Sequence, residues 1–387
     1  MYAPVLTTEH PAVAAVGRRR RVLLAPVTVT PTKPLTPSHL KGLLWTDVMY
    51  RATAQIAEVD YRYSPSVYHS TEQTLGFWEF LDRTCGDIDY AAMPETEIGE
   101  LYVRFRALPE PPSAAALRPY REAAESGWAH PASIRLLERW SGHYARLGMH
   151  DPGLTRHQPA RLSQELMIGA LDALGMCLDL RAQGGAVWAD PTRFGMPLRR
   201  LVAADGRPNY LACALRELLP LAPDYDEIVL LCDTELAADY ALLQRILQSM
   251  GPTVHRVTIG RVPIDGQIRS ARAGDWREVH AAALLDRLSA RDDAEVRLGM
   301  RLYFIATLGP GSGQSFRWDL LTTCLDRARR LLSGDRAEDP ATPAEFVAEQ
   351  RAARGQAAYV DPYRLTSRLL ARYRPAARRS LLEAVYL

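Results

Sequence analysis

An apolar run from Val22 to Val29 feeds directly into Thr30-Pro31-Thr32-Lys33-Pro34-Leu35-Thr36-Pro37-Ser38-His39-Leu40-Lys41. Leu40, Leu43, Leu44, Val48 and Ile56 then recur at helical spacing. This is a strand, a turn and a helix, with Ser38 the expected N-cap. A helix that starts just past a strand offers unpaired N–H groups and a positive dipole end, which suits phosphate. Lys33 and His39 flank the point where an anion would sit. A Pro-rich turn carrying a stray His is the competing reading of the segment taken alone.

A second constraint lies at Glu227-Ile228-Val229-Leu230-Leu231-Cys232, a continuous apolar run that ends in acidic residues. Such a run fits a buried parallel strand with function at its carboxyl end. Leu242 to Met250 reads as the next helix, stopped by Gly251-Pro252, and Val254 to Val262 as a further strand. Leu75 to His150 is mostly helical, Gln164 to Cys177 is a helix, Ala186-Val187-Trp188 is a short strand, and Asp205-Gly206 marks a turn. The alternation predicts an α/β fold: a Rossmann-like parallel sheet with a helical insertion at about 75–180 and a short helical C-terminal tail. The expected division is a loose tail over 1–20, one catalytic domain over 21–330 and the helical tail over 331–387. With 387 residues the chain can bury a full core.

Charge and cysteines exclude several classes. A net charge of +2 leaves no overall electrostatic footprint for nucleic acid. The five cysteines, Cys85, Cys177, Cys213, Cys232 and Cys324, include no C-x-x-C pair, which argues against a disulfide framework or a zinc site and for a reducing cytoplasm. Arg18 to Arg21 is basic, but the apolar run after it is short and broken by prolines, so neither a signal peptide nor a membrane span is expected.

The Thr30–Lys41 segment resembles the first signature of class I aminoacyl-tRNA synthetases in its arginyl form, Lys-Pro-Leu-His-x-Gly-His-Leu-Arg. Lys33, Pro34, Leu35, His39 and Leu40 match, Lys41 stands for the Arg, Thr36 replaces the first His and Ser38 the Gly. Asp47 also falls where that family commonly has an Asp. The resemblance continues through Leu147-Gly148-Met149-His150-Asp151, Gly185-Ala186-Val187-Trp188-Ala189-Asp190 and Asp205-Gly206-Arg207-Pro208-Asn209-Tyr210. Gly266-Gln267-Ile268-Arg269-Ser270-Ala271-Arg272-Ala273-Gly274-Asp275 aligns with the second signature, Lys-Met-Ser-Lys-Arg-x-Gly-Asn. These motifs cover roughly 20–330 in order.

What the resemblance implies for substrates is mixed. The family holds its amino acid with a Glu and an Asn before the first signature, where this chain has Val27 and Thr32. The Asp that faces arginine is Ala214, so Tyr210 alone survives of that set. A guanidinium without its carboxylates would be a buried, unpaired cation, so arginine is not the expected substrate. ATP with magnesium is the implied cofactor. Lys33, Thr36, His39, Ser270 and Arg272 are the implied catalytic groups. Thr30, Ser38, His39, Asp233, Glu235 and Arg269 would lie on the nucleotide side, and Val27, Thr32, Gln73, Tyr210 and Ala214 on the substrate side. The family's Gly-Ala-Asp-His-His-Gly is replaced by Asp233-Thr234-Glu235-Leu236-Ala237-Ala238, which would turn two acids toward the pocket.

The expected function is ATP-dependent adenylation of a carboxylate and its ligation to a small amine or carrier protein, an arginyl-synthetase-like enzyme recruited to specialised biosynthesis. Two alternatives stand: an inactive pseudo-synthetase that binds a ligand or partner, and a transferase that uses aminoacyl-tRNA. Only 331–387 follow the part like the catalytic domain, so full tRNA recognition is not expected. The tail's Tyr359, Tyr363, Leu369, Tyr373 and Tyr386 form an apolar face. It would dock on the body or on a second subunit, the latter making a homodimer.

Overall fold

The computed structural model describes residues 18–268, 276–333, 342–352, 357–371 and 379–387. The chain opens with β1 (Arg21–Pro26), α1 (Pro37–Ala54) and β2 (Glu58–Tyr61). Helices α2 (Glu72–Cys85), α3 (Glu95–Arg106), α4 (Ala114–Glu125), α5 (Pro131–Arg146) and α6 (Gln164–Ala173) follow. A small antiparallel sheet is made by β3 (Cys177–Asp179), β4 (Val187–Ala189) and β5 (Arg199–Val202), after which come α7 (Tyr210–Leu218), β6 (Glu227–Cys232), α8 (Ala237–Gln248) and β7 (Thr253–Thr258). The remainder is helical: α9 (Ala281–Arg287), α10 (Asp293–Arg301), a π-helical continuation over Leu302–Thr307, α11 (Trp318–Ser333), α12 (Pro343–Ala352), α13 (Pro362–Ser367) and α14 (Arg379–Val385).

The main sheet has the order β2-β1-β6-β7 and every pairing in it is parallel. Alternation along β1 divides the core. Val22 and Leu24 face the α1 side with Leu40, Leu44 and Val48, while Leu23 and Ala25 face α7 and α8 with Leu215, Leu243 and Ile246. All six residues of β6 are buried, as a central strand covered on both faces must be. This is a Rossmann-like α/β fold. The chain winds from β1 toward β2 on one side and reaches β6 and β7 on the other, so the carboxyl ends of β1 and β6 form the switch point where such sheets bind ligands.

Three expected boundaries move. The first strand stops at Pro26, and 27–30 peel away from the sheet. Their backbone groups are taken up by tyrosines: the Tyr63 hydroxyl accepts from Val29 N at 3.0 Å, and the Tyr210 hydroxyl donates to the Thr28 carbonyl. The last strand stops at Thr258, because the chain turns at Gly260 to pack on the 310–312 loop. A Cβ on Gly260 would lie 2.3 Å from Ser312 Oγ and 2.5 Å from the Gly311 carbonyl carbon, so only glycine fits there. Helix α6 ends at Ala173, and Cys177 opens β3 instead.

Lys41 is buried in α1, donating from Nζ to Gly260 O at 2.9 Å and Gly311 O at 2.6 Å. Burial pulls its pKa down to about 8. Further along α1, Asp47 accepts from Arg301 Nη2 at 2.6 Å, from His150 N at 2.8 Å and from Arg51 Nε at 3.2 Å. Arg301 is fully buried and also donates to Leu147 O at 2.8 Å. The pair therefore ties α1 to α10 and to the end of α5. The tail docks on the body: Ala358 N donates to the Glu227 carboxylate, Val360 N donates to Thr53 Oγ1 at 3.1 Å, and Tyr363 stacks on Trp45. Tyr373 lies outside the described residues. No helix among the described residues is long and apolar enough to cross a membrane.

Arg301→Met should lower unfolding stability by about 1.5–3 kcal/mol, because it removes the fully buried partner of a carboxylate that then keeps only Arg51 and the His150 N–H. Adding Asp47→Asn to Arg301→Met should recover part of the loss, measured by urea titration. A single variant as stable as the parent would mean the pair holds nothing together.

Candidate functional site

The first turn of α1 is built by Thr36, not Ser38. Thr36 Oγ1 accepts from His39 N, and Thr36 N donates to His39 Nδ1 at 3.2 Å, a reciprocal capping box in which His39 stands where Glu or Gln is usual. Because Nδ1 accepts, the ring proton of the neutral imidazole is on Nε2. Burial, with Lys33 and then Arg261 nearby, holds the His39 pKa well below its usual value. At neutral pH His39 is thus an uncharged donor with a fixed tautomer. Ser38 also lines the site, and its Oγ accepts from Val262 N at 3.0 Å, fixing the turn that follows β7.

A cavity of about 480 Å³ opens over this turn, at the carboxyl ends of β1 and β6. That is within the usual range for small-molecule sites. Val27, Lys33, Thr36, Ser38, His39, Gln73, Asp233 and Glu235 all line it. Lys33 is buried, with Nζ 4.9 Å from the centre of the Tyr102 ring. Its place is held by Gly99 of α3, where a Cβ would come within 2.6 Å of Pro34 and 2.5 Å of Trp276. Below this, Glu95 of α3 binds His143 of α5 at 3.1 Å and approaches His280, before α9, at 3.3 Å. Burial pushes the Glu95 carboxyl up, but hydrogen bonds from His143 and His280 outweigh it and bring the pKa to about 2.

The two acids do not present bare negative charge to the cavity. Arg261, one residue past the Gly260 turn, donates to Asp233 at 3.0 Å and lies 2.7 Å from Glu235. Asp233 also accepts from Leu236 N, capping the turn before α8. Reading 254–262 as one strand leaves Arg261 as an ordinary ladder residue, with nothing to mark its pairing with Asp233 and Glu235. The site therefore gathers a lysine, an arginine, a neutral imidazole donor and a helix N-terminus, with the two carboxylates already paired.

The substrate-side residues do not share one pocket. Val27 lines the cavity and Gln73 enters it, donating to Thr30 Oγ1 at 3.0 Å. Thr30 is buried behind it. Thr32 is fully buried, and its hydroxyl has no partner among the described residues. The Tyr210 hydroxyl closes onto the Thr28 carbonyl while its ring packs on Tyr68 at 4.4 Å. Ala214 is sealed in the core beside Leu211 and Leu215. The position offers a methyl group packed among leucines and no carboxylate. Arg269, Ser270 and Arg272 lie outside the described residues, but Gln267 and Trp276 on either side of that segment both line the cavity. Among the described residues no group of three or more His, Cys, Asp or Glu side chains is placed to hold a metal ion. Magnesium held mainly by substrate phosphates needs no such cage.

No protein-family model matches the chain, and no curated protein matches it in sequence. Solved structures do. Thermus thermophilus arginyl-tRNA synthetase superposes over 97% of this chain and 80% of its own, with a TM-score of 0.61 at 16% identity. A putative arginyl-tRNA synthetase from Campylobacter jejuni covers 96% and 90% at 12% identity, TM-score 0.47. Mycobacterium tuberculosis methionyl-tRNA synthetase, in complex with methionyl-adenylate, covers 95% and 81% at 12%, TM-score 0.47. The likeness to the Thermus enzyme shows a shared fold.

The His39 imidazole should show no titration step near pH 6.5 in a proton NMR titration, whereas Arg261→Ala should move its midpoint upward by removing a cation. An ordinary His39 midpoint would contradict the buried, neutral assignment. For Glu95, the folded pKa lies below the unfolded one, so its contribution is complete above about pH 4.5 and fades as pH falls toward 2. Glu95→Gln should cost about 3 kcal/mol at pH 7 by breaking a buried charged contact, and much less at pH 3. A loss of equal size at both pH values would show that the carboxylate charge is irrelevant.

Proposed function

We propose that this chain, built on a class I synthetase fold, activates a carboxylate with ATP and passes the acyl group to a small amine or carrier. The observation that carries the reading is the convergence of Lys33, the Nε2–H of His39, Arg261 and the α1 N-terminus on one cavity at the β1/β6 switch point. The residues fit the group: clustered, partly desolvated donors suit a polyphosphate. ATP, as co-substrate, supplies the adenylyl group and a pyrophosphate leaving group.

Each residue then has a role that follows from its place. Lys33, buried under Tyr102, supplies a fixed positive charge at the phosphates. His39 donates from Nε2 to charge that develops on phosphate oxygens. Being neutral, it needs no counterion of its own, and its capping bond to Thr36 removes the choice of tautomer. Arg261 is held by Asp233 and Glu235 until a stronger anion arrives. Those acids are then free for the ribose hydroxyls or for a phosphate-bound magnesium. Ser38 positions the backbone rather than the substrate. The absence of any acid in the place of Ala214 points to a carboxylate substrate without a cationic side chain.

A second reading is favoured by one observation. The closure of Tyr210 onto Thr28 and the burial of Ala214 remove the side pocket an amino acid would enter, which suits a pseudo-synthetase that only binds a ligand or partner. Pyrophosphate exchange screened over amino acids and other small carboxylates separates the two. The activation reading expects exchange with at least one carboxylate, and a drop of 10²–10³-fold in His39→Ala or Arg261→Ala, equivalent to about 3–4 kcal/mol. Silence across the panel would leave the binding reading.

A further inference from the structure

Gln73 separates two cavities. One is the site above, and the other, of about 600 Å³, lies on its far side between the α2 start, the loop after α3 and the turn before α7. The second cavity has an apolar wall, with Leu108 and Pro112 on it, and charged groups around it. Arg207 is already paired, with Glu72 at 3.0 Å and Asp205 at 2.8 Å. Arg106, Arg200 and Glu110 are not: none of them makes an ion pair among the described residues, and the Nε of Arg106 is buried without a hydrogen-bond partner. A desolvated guanidinium N–H left unpaired is costly, and a bound acceptor atom would relieve it. Unpaired charges of both signs around one cavity match a zwitterion.

We infer that this second cavity is the acceptor site and takes a free amino acid. Its carboxylate meets Arg106 and Arg200, its ammonium faces Glu110 and Gln73, and its side chain lies on the Leu108–Pro112 wall. The chemistry rests on the activation reading. The ammonium first loses a proton to solvent. The neutral amine nitrogen then attacks the acyl carbon of the acyl adenylate across Gln73, a C–N bond forms, and the acyl C–O bond to phosphate breaks. AMP leaves with that electron pair, and the remaining surplus proton goes to solvent. Gln73 is a positioning residue here: its bond to Thr30 Oγ1 fixes its side chain between the two cavities.

The test is saturation-transfer NMR and calorimetry of the full chain with each of the twenty free amino acids. At least one should bind, and its Kd should rise tenfold or more in Arg106→Ala and in Leu108→Trp, which fills the cavity, but not in Lys33→Ala on the other side of the partition. Arg200→Ala, at an exposed strand position, serves if Arg106→Ala folds poorly. Binding unchanged by these variants, binding lost only in Lys33→Ala, or no binding by any amino acid would overturn the assignment. Pyrophosphate exchange by the wild type is read separately: its absence alongside intact binding would sink the activation reading and leave the binding site standing.

Discussion

The reciprocal bond between Thr36 and His39 is the interaction on which the site depends. It starts α1 at a defined residue, and so fixes where the helix N-terminus meets the carboxyl edge of the sheet. It also commits the imidazole. Nδ1 is used up as an acceptor for a backbone N–H, so Nε2 must carry the proton that reaches the cavity. A cap at Ser38 would have left the ring free to choose its tautomer. Instead Ser38 anchors the chain after β7, which brings Arg261 round to the same cavity.

Charge is arranged with the same economy. Burial first, then Lys33 and Arg261, depress protonation of His39, so three basic groups add two positive charges and one neutral donor rather than three mutually repelling cations. Asp233 and Glu235 balance Arg261 at the cavity wall. At partial exposure such pairs are weak, so a polyanion can displace them at little cost. Beneath, the Asp47–Arg301 pair and the Lys41 clamp lock α1 to the helices and loops that carry the cavity walls.

Much of the fold was legible because its signals are local and redundant. The apolar runs at Val22 and Glu227, each followed by a turn and a helical period, are enough to place two parallel strands and their switch point. Strand ends were less legible, since they depend on distant partners: Tyr63 and Tyr210 bond the backbone of 27–30 outside the sheet, and the 310–312 loop packs closely on the bend at Gly260. On the site, motif order brought Lys33, His39 and Asp233 together. Arg261 was invisible because nothing in the local sequence marks a residue just past a bend. The grouping of Thr32, Tyr210 and Ala214 failed for a different reason. Thr32 and Ala214 pack into the core while Tyr210 lines the second cavity beyond Gln73, and no pattern in the sequence distinguishes these outcomes.

The central claim is that this cavity is a polyphosphate site organised by α1 and His39. Isothermal titration of the full chain with ATP and magnesium tests it most directly, comparing the wild type with His39→Phe, which keeps ring volume but removes the donor. The account predicts one ATP per chain and an affinity at least tenfold lower in the variant. No ATP binding by the wild type, or equal binding by both proteins, would contradict it.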